Sequence, residues 1–123
     1  MANRTSTRRK RRFALARGAR GEWLAALFLR LKGYSIEDRN FRCKSGEIDI
    51  VARKGNQIIF VEVKARPSEQ EALDSVSFQA QRRIANAANV WISRRRDYDR
   101  LSWQFDVIAI VPGRWPRHFQ QAF

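Results

Sequence analysis

Two apolar runs in GEIDIVARKGNQIIFVEVKAR, residues 46–66, are interrupted by charges of a kind that does chemistry: Glu47 and Asp49 in the first run, Glu62 and Lys64 in the second. Gly55-Asn56 between them fits the two central positions of a type II′ hairpin turn, where Gly supplies the positive φ. Partners facing each other across that turn have residue numbers that add to 111, so Asp49 is expected opposite Glu62 and Glu47 opposite Lys64. Directly opposed residues leave a sheet on the same face, with Cβ atoms about 4.5–5.5 Å apart. The expectation is one cluster of three carboxylates and an amine.

Two facing carboxylates repel by about 4 kcal/mol at 4 Å and an effective dielectric near 20, and the pair raises the pKa of one member. A divalent cation turns that repulsion into ligation. Hard oxygen donors and a partly open shell suit Mg2+ or Mn2+. Zinc is disfavoured, because Cys43 and His118 are the only cysteine and histidine in the chain. The competing reading is an edge hairpin whose charges discourage aggregation.

The elements that must hold this cluster follow from periodicity. Leu24, Leu27, Phe28 and Leu31 lie at i, i+3, i+4 and i+7, which predicts a helix over about 18–32 with that stripe as its apolar face, stopped by Gly33. Strands are expected over 34–42, 46–53, 58–64 and 102–111, the last ended by Pro112 and Gly113, with a polar loop over 66–75. A second helix is expected over 77–95, capped by Ser77 and turning Ala80, Ile84, Ala87, Ala88, Trp91 and Ile92 inward. It leaves room for a crossover, so the final strand is expected parallel to the strand of Glu62. The final ten residues are apolar enough to pack back on the body. The fold class is α/β, a mixed sheet flanked by helices in the order α-β-β-β-α-β.

At 123 residues the chain is one domain by length. Its net charge of +13 and pI near 11.4 favour a polyanionic partner, nucleic acid first. Eight of the 25 basic residues fall in the first 20 positions, which hold no acid. Residues 1–17 are thus expected to be a mobile basic arm and 18–123 a single domain. The apolar run WLAALFL is seven residues long, far short of a membrane span, and no small-residue cleavage site follows it. Neither export signal nor membrane contact is expected. A lone cysteine needs no oxidising compartment, so the expected location is the cytoplasm.

Asp49, twelve intervening residues and then Glu62-Val63-Lys64 resemble the D…(D/E)-x-K signature of the PD-(D/E)XK nuclease superfamily, the restriction-endonuclease-like fold. More closely, RGARGEWLAALFLRLKGYSI, GEIDIVA, FVEVKAR, Gln81-Arg82-Arg83, FDVIAI and the terminal AF resemble the bacterial YraN-type family, itself similar to archaeal Holliday-junction resolvases. The resemblance covers residues 17–123. It implies an Mg2+- or Mn2+-dependent DNA endonuclease, directed to branched or otherwise irregular DNA. Asp49, Glu62 and the Val63 carbonyl would hold the metal. Lys64 would orient the attacking water, Glu22 would hold a metal-bound water, and Gln81 would complete the site. Arg53, Lys54, Arg82 and Arg83 would contact phosphates. The alternative is a noncatalytic nucleic-acid-binding module that keeps the fold, and a third reading is an RNA-bound basic protein. Homodimerisation is compatible with this reading and is not legible in the residues.

Other residues take plainer readings. Trp91 and Trp103 are expected in the core. Trp23 and Trp115 can stack on bases but are more simply packing residues. His118 is expected as a surface or packing residue, and Cys43 as incidental. Glu22 also suits the first turn of its helix, where a carboxylate favours the helix dipole.

Overall fold

The computed structural model describes residues 20–123; the basic arm assigned to 1–17 lies outside them. Helix α1 runs over 20–31. It is followed by strands β1 (Ser35–Cys43), β2 (Gly46–Lys54) and β3 (Gln57–Ala65), helices α2 (Glu69–Asp74) and α3 (Phe78–Ser93), a 3-10 turn (Tyr98–Arg100), and strands β4 (Ser102–Ile110) and β5 (Arg117–Phe119). The strands form one sheet in the order β1-β2-β3-β4-β5. All neighbours are antiparallel except β3 and β4, which are parallel across the α3 crossover. The class is α/β: a mixed five-stranded sheet flanked by helices, consistent with a restriction-endonuclease-like core.

Local chemistry accounts for the element ends. Gly33, at φ 93°, closes α1, with Tyr34 N–H donating to the Leu29 carbonyl and Gly33 N–H to the Arg30 carbonyl, the Schellman pattern. Ser77 Oγ accepts from Ala80 N–H at 3.1 Å and caps α3. The expected polar loop over 66–75 instead contains α2, because Ser68 Oγ accepts from Glu71 N–H at 3.2 Å and starts a short helix. Gly55 has φ 62° while Asn56 is not left-handed, as a type II′ turn requires.

The sheet is buried on both faces. On one, Val51, Ile58, Phe60 and Val107 pack against Ile84, Ala87, Trp91 and Ile92 of α3. On the other, Ile50, Ala52, Ile59, Val61 and Ile108 pack against Ala25, Ala26 and Leu29 of α1. Of the helix stripe expected to face the core, Phe28 packs against it while Leu24, Leu27 and Leu31 are exposed. Small residues won that contact, because Gly21, Ala25 and Ala26 let the backbone of α1 approach the sheet closely. Trp103, expected in the core, is 42% exposed, whereas Trp91 is buried.

Ile48 and Ile50 are two residues apart, yet they enter opposite cores. Their β1 partners, Phe41 and Arg39, flank Asn40, which has φ 53°. Asn is among the few residues that tolerate this left-handed conformation. The β1–β2 ribbon therefore turns over at the level of Asp49. Below that point Gly46 lies so close to α3 that a Cβ would collide with the Arg83 carbonyl.

The chain's last residues pack back as expected. β5 pairs with β4, Phe123 stacks on Phe105 at 5.4 Å, and Ala122 N–H donates to the Phe105 carbonyl. Among the described residues no helix is long and apolar enough to cross a membrane.

Candidate active site

The hairpin register is the expected one from Lys54↔Gln57 up to Ile50↔Val61, and there the β2–β3 ladder stops. Beyond it β2 stays with β1 and β3 stays with β4, so the two central strands part where Asp49 and Glu62 begin. Parting leaves the Val63 N–H without a strand partner on β2, and the Asp49 carboxylate accepts from it at 2.8 Å. A buried N–H must find an acceptor, so this bond ties the open fork together. Val63 thus enters the site through its N–H, which no sequence signal distinguishes.

The carboxyl groups of Asp49 and Glu62 lie within hydrogen-bonding reach of each other. Lys64 Nζ stands 3.3 Å from Glu62 Oε1, with the two side chains 21% and 14% exposed. Burial, and then the charge of Asp49, push the Glu62 carboxyl up to about 7 against Lys64, which pulls it down. Burial also raises the Asp49 carboxyl, opposed by the Val63 N–H and reinforced by the charge of Glu22. Glu22 reaches this site from the first described turn of α1.

Other expectations change. Glu47 does not meet Lys64: below the fork β2 has turned away, and Glu47 lies 3.7 Å from Arg42 with both side chains mostly exposed. Gln81 Nε2 donates to the Val76 carbonyl at 3.1 Å, which occupies it in the α2–α3 connection. Arg53 and Lys54 sit at the hairpin tip, away from the carboxyl pair. Arg53 bonds Asp97 at 3.0 Å and the Gly55 carbonyl at 2.7 Å. Lys54 Nζ donates to the Lys32 carbonyl at 2.9 Å, at the end of α1. Both cations thus have partners within the chain itself. Arg82 and Arg83 are exposed and, among the described residues, form no ion pair. They lie at the fork end, since the Arg83 backbone abuts Gly46.

A second polar cluster went unnoticed in the sequence. Asp106 on β4 is fully buried and accepts from His118 Nε2 at 2.7 Å, Gln104 Nε2 at 2.9 Å and Gln121 N–H at 3.0 Å. Lys32 Nζ donates to His118 Nδ1 at 2.7 Å, which places the imidazole proton on Nε2. His118 is thus a packing residue with a specific partner on each ring nitrogen. Only the β4–β5 pairing brings it to Asp106.

Carboxylate oxygens are the donor type that a hard cation takes. Among the described residues no three His, Cys, Asp or Glu side chains form a ligand group, so Glu22 stands off from the pair. Two adjacent carboxyl oxygens remain, which is the protein share that Mg2+ takes when water and substrate phosphate complete its shell.

An α/β sheet whose strands β2 and β3 part around a half-buried carboxyl pair and a lysine, between an outer helix on each face, defines the class of this protein. The chain belongs to the Uncharacterised protein family UPF0102, whose family model matches residues 21–110. It is 54% identical to a UPF0102 protein of Rhizobium etli over 123 residues, all of both chains. It is 51% identical to one of Mesorhizobium japonicum over 123 residues, all of this chain and 97% of the relative. With one of Bartonella tribocorum it shares 46% identity over 121 residues, covering 98% and 93% of the two chains.

Proposed function

We propose that this protein is a metal-dependent DNA endonuclease that hydrolyses phosphodiester bonds at the fork between β2 and β3. The observation that carries the reading is the Asp49–Glu62 pair, two half-buried carboxyls close enough for the charge of Asp49 to raise the proton affinity of Glu62, with Lys64 beside them. Such a pair is a poor stabilising device and a good cation site. The surface charge supports a polyanionic substrate: Arg82 and Arg83 lie exposed at the same end of the sheet, and the whole chain carries +13.

Asp49 and Glu62 would hold Mg2+ or Mn2+, with the Val63 carbonyl as a further oxygen donor. When bound, the metal supplies Lewis-acid polarisation of the phosphoryl group and a more acidic water. The chain's own residues do the rest. The Val63 N–H fixes the Asp49 carboxylate, so that it meets the substrate preorganised. Lys64 Nζ, 3.3 Å from Glu62 Oε1, orients the attacking water. It also offsets the charge that builds on phosphate oxygens. Glu22 adds negative field behind Asp49 and can accept a hydrogen bond from a site water. Arg82 and Arg83 bind phosphates and set affinity rather than sequence choice.

The test offers labelled four-way junction, flap, single-stranded and linear duplex DNA to the purified protein in Mg2+, Mn2+ or EDTA, beside Glu62→Ala prepared identically. Metal-dependent cutting that vanishes in the variant is expected. Binding without cutting, alike in both proteins, would replace the nuclease with a noncatalytic nucleic-acid-binding module.

A further inference from the structure

The outward face of α1 and the turn after β4 enclose an open groove of about 370 Å3. Leu24, Leu27 and Leu31 line one wall, and Ile110, Trp115 and Pro116 line the other. Trp115 is 83% exposed and Leu31 73%. Exposed apolar surface gathered in one concavity marks a binding site more often than an unused face.

The loop that presents Trp115 is stiff. Arg114 N–H donates to the Val111 carbonyl at 3.2 Å, and Gly113 has φ 73°. With Pro112 in the preceding position this is a type II turn. Pro116 then holds Trp115 to extended backbone. An indole presented this way loses little conformational freedom when it binds.

The groove and the fork are linked through the packing around the buried Gly21. A Cβ on Gly21 would stand 3.7 Å from Ile110, in the groove wall, and 3.8 Å from Val63, beside Asp49. Arg66 joins the two regions by donating its N–H to the Ile110 carbonyl. Arg66 and Arg114 are exposed and, among the described residues, lack an ion-pair partner.

Leucine walls alone would accept any apolar partner; the cations narrow the choice. A second copy seated on this groove would bring its own Arg66 and Arg114 to the same face, and like charges oppose that association. A strand of nucleic acid offers both complements at once: flat bases for the indole and phosphates for the guanidinium groups.

We propose that this groove is a single-strand subsite. Unpaired bases stack on Trp115 against the leucines, and Arg66 and Arg114 hold the flanking phosphates. This deepens the nuclease reading, on which its place beside a scissile bond rests: the substrate class becomes nucleic acid with unpaired nucleotides next to the cleavage point.

Binding can be measured where no cutting occurs. Full-length Glu62→Ala protein in EDTA is titrated with a labelled oligothymidylate, an abasic strand of the same length and a duplex, followed by anisotropy. Trp115→Leu and Trp115→Phe are prepared in the same background. Oligothymidylate is expected to bind more tightly than the abasic strand. Trp115→Leu is expected to weaken oligothymidylate about 5- to 150-fold, the range for one stacked base, and to leave the abasic strand unchanged. Trp115→Phe should retain most of the affinity. Equal binding of oligothymidylate and abasic strand, indifferent to Trp115→Leu, overturns the proposal. So does a Trp115→Leu change in the sedimentation of the protein alone, which would make the groove a self-association face. Because no metal and no cleavage are involved, an inactive wild type would sink the nuclease reading and leave this result standing.

Discussion

Glu62→Gln isolates the electrostatic cost of the fork. The Glu62 carboxyl rises from an ordinary value of 4.5 to about 7 in the folded chain. At 1.36 kcal/mol per pKa unit this is worth about 3 kcal/mol. The folded state holds the proton more tightly than the unfolded state, so the contribution is complete below pH 4.5 and is lost as pH rises through 7. Most of that loss falls between pH 5 and pH 8. Glutamine carries no charge at either pH and retains the side-chain shape. Urea or thermal unfolding in EDTA at fixed ionic strength should show wild-type stability falling over this range. The variant should fall less by that amount, roughly 10 °C in Tm for a domain of this size. Part of the slope survives in the variant, because the Asp49 carboxyl is also raised by its burial. Saturating Mg2+ at pH 8 should restore wild-type stability and do little for the variant. Parallel pH profiles for the two proteins would refute the argument that the pair is a destabilising, cation-seeking arrangement.

Three further perturbations separate structural from substrate-facing residues. Gly46→Ala puts a methyl against the Arg83 carbonyl, which is backbone and cannot swing aside; a loss of about 1–3 kcal/mol in urea unfolding is expected. Asp106→Ala removes the acceptor of the buried His118 and of the Gln104 amide and Gln121 N–H and should cost about 1–3 kcal/mol, read as a fall in Tm. Arg82→Ala and Arg83→Ala should each reduce the salt slope of DNA binding by about 1 with little change in Tm. Arg53→Ala and Lys54→Ala should do the reverse, lowering stability by roughly 0.5–2 kcal/mol while DNA affinity holds.

The hairpin and its register were legible because period-two alternation and a Gly-Asn turn are local signals, sufficient to align Ile50 with Val61. Where the ladder ends was not legible. It depends on α3 seizing Gly46 and on a left-handed Asn40, both outside the hairpin's own pattern. The error about Glu47 follows from extending a correct register through the fork. The leucines of α1 misled for a different reason. Their spacing announces a helix faithfully, but burial went to Ala25, Ala26 and Leu29, since close approach of backbones can outcompete larger side chains. Ser68 and Glu71, three apart, were an available signal for α2. Asp106 and His118 carry no such signal, because a strand pairing twelve residues on decides their contact. Of the candidate site, Asp49, Glu62, Lys64 and the approach of Glu22 follow from type and spacing. The bonds of Arg53 to Asp97 and of Lys54 to the Lys32 carbonyl join residues 44 and 22 positions apart, beyond the reach of a local pattern.

The bond from Val63 N–H to Asp49 also bears on how this protein can be interrogated. Asp49 does two jobs, one electrostatic and one of joinery. Truncation to Ala removes both, leaves a buried amide orphaned and invites the fork to unzip toward Ile50 and Val61. A dead Asp49→Ala protein would therefore be an ambiguous witness to chemistry. Asparagine keeps an oxygen that can accept the Val63 hydrogen while discarding the charge, so it can silence the carboxylate with the carpentry left standing.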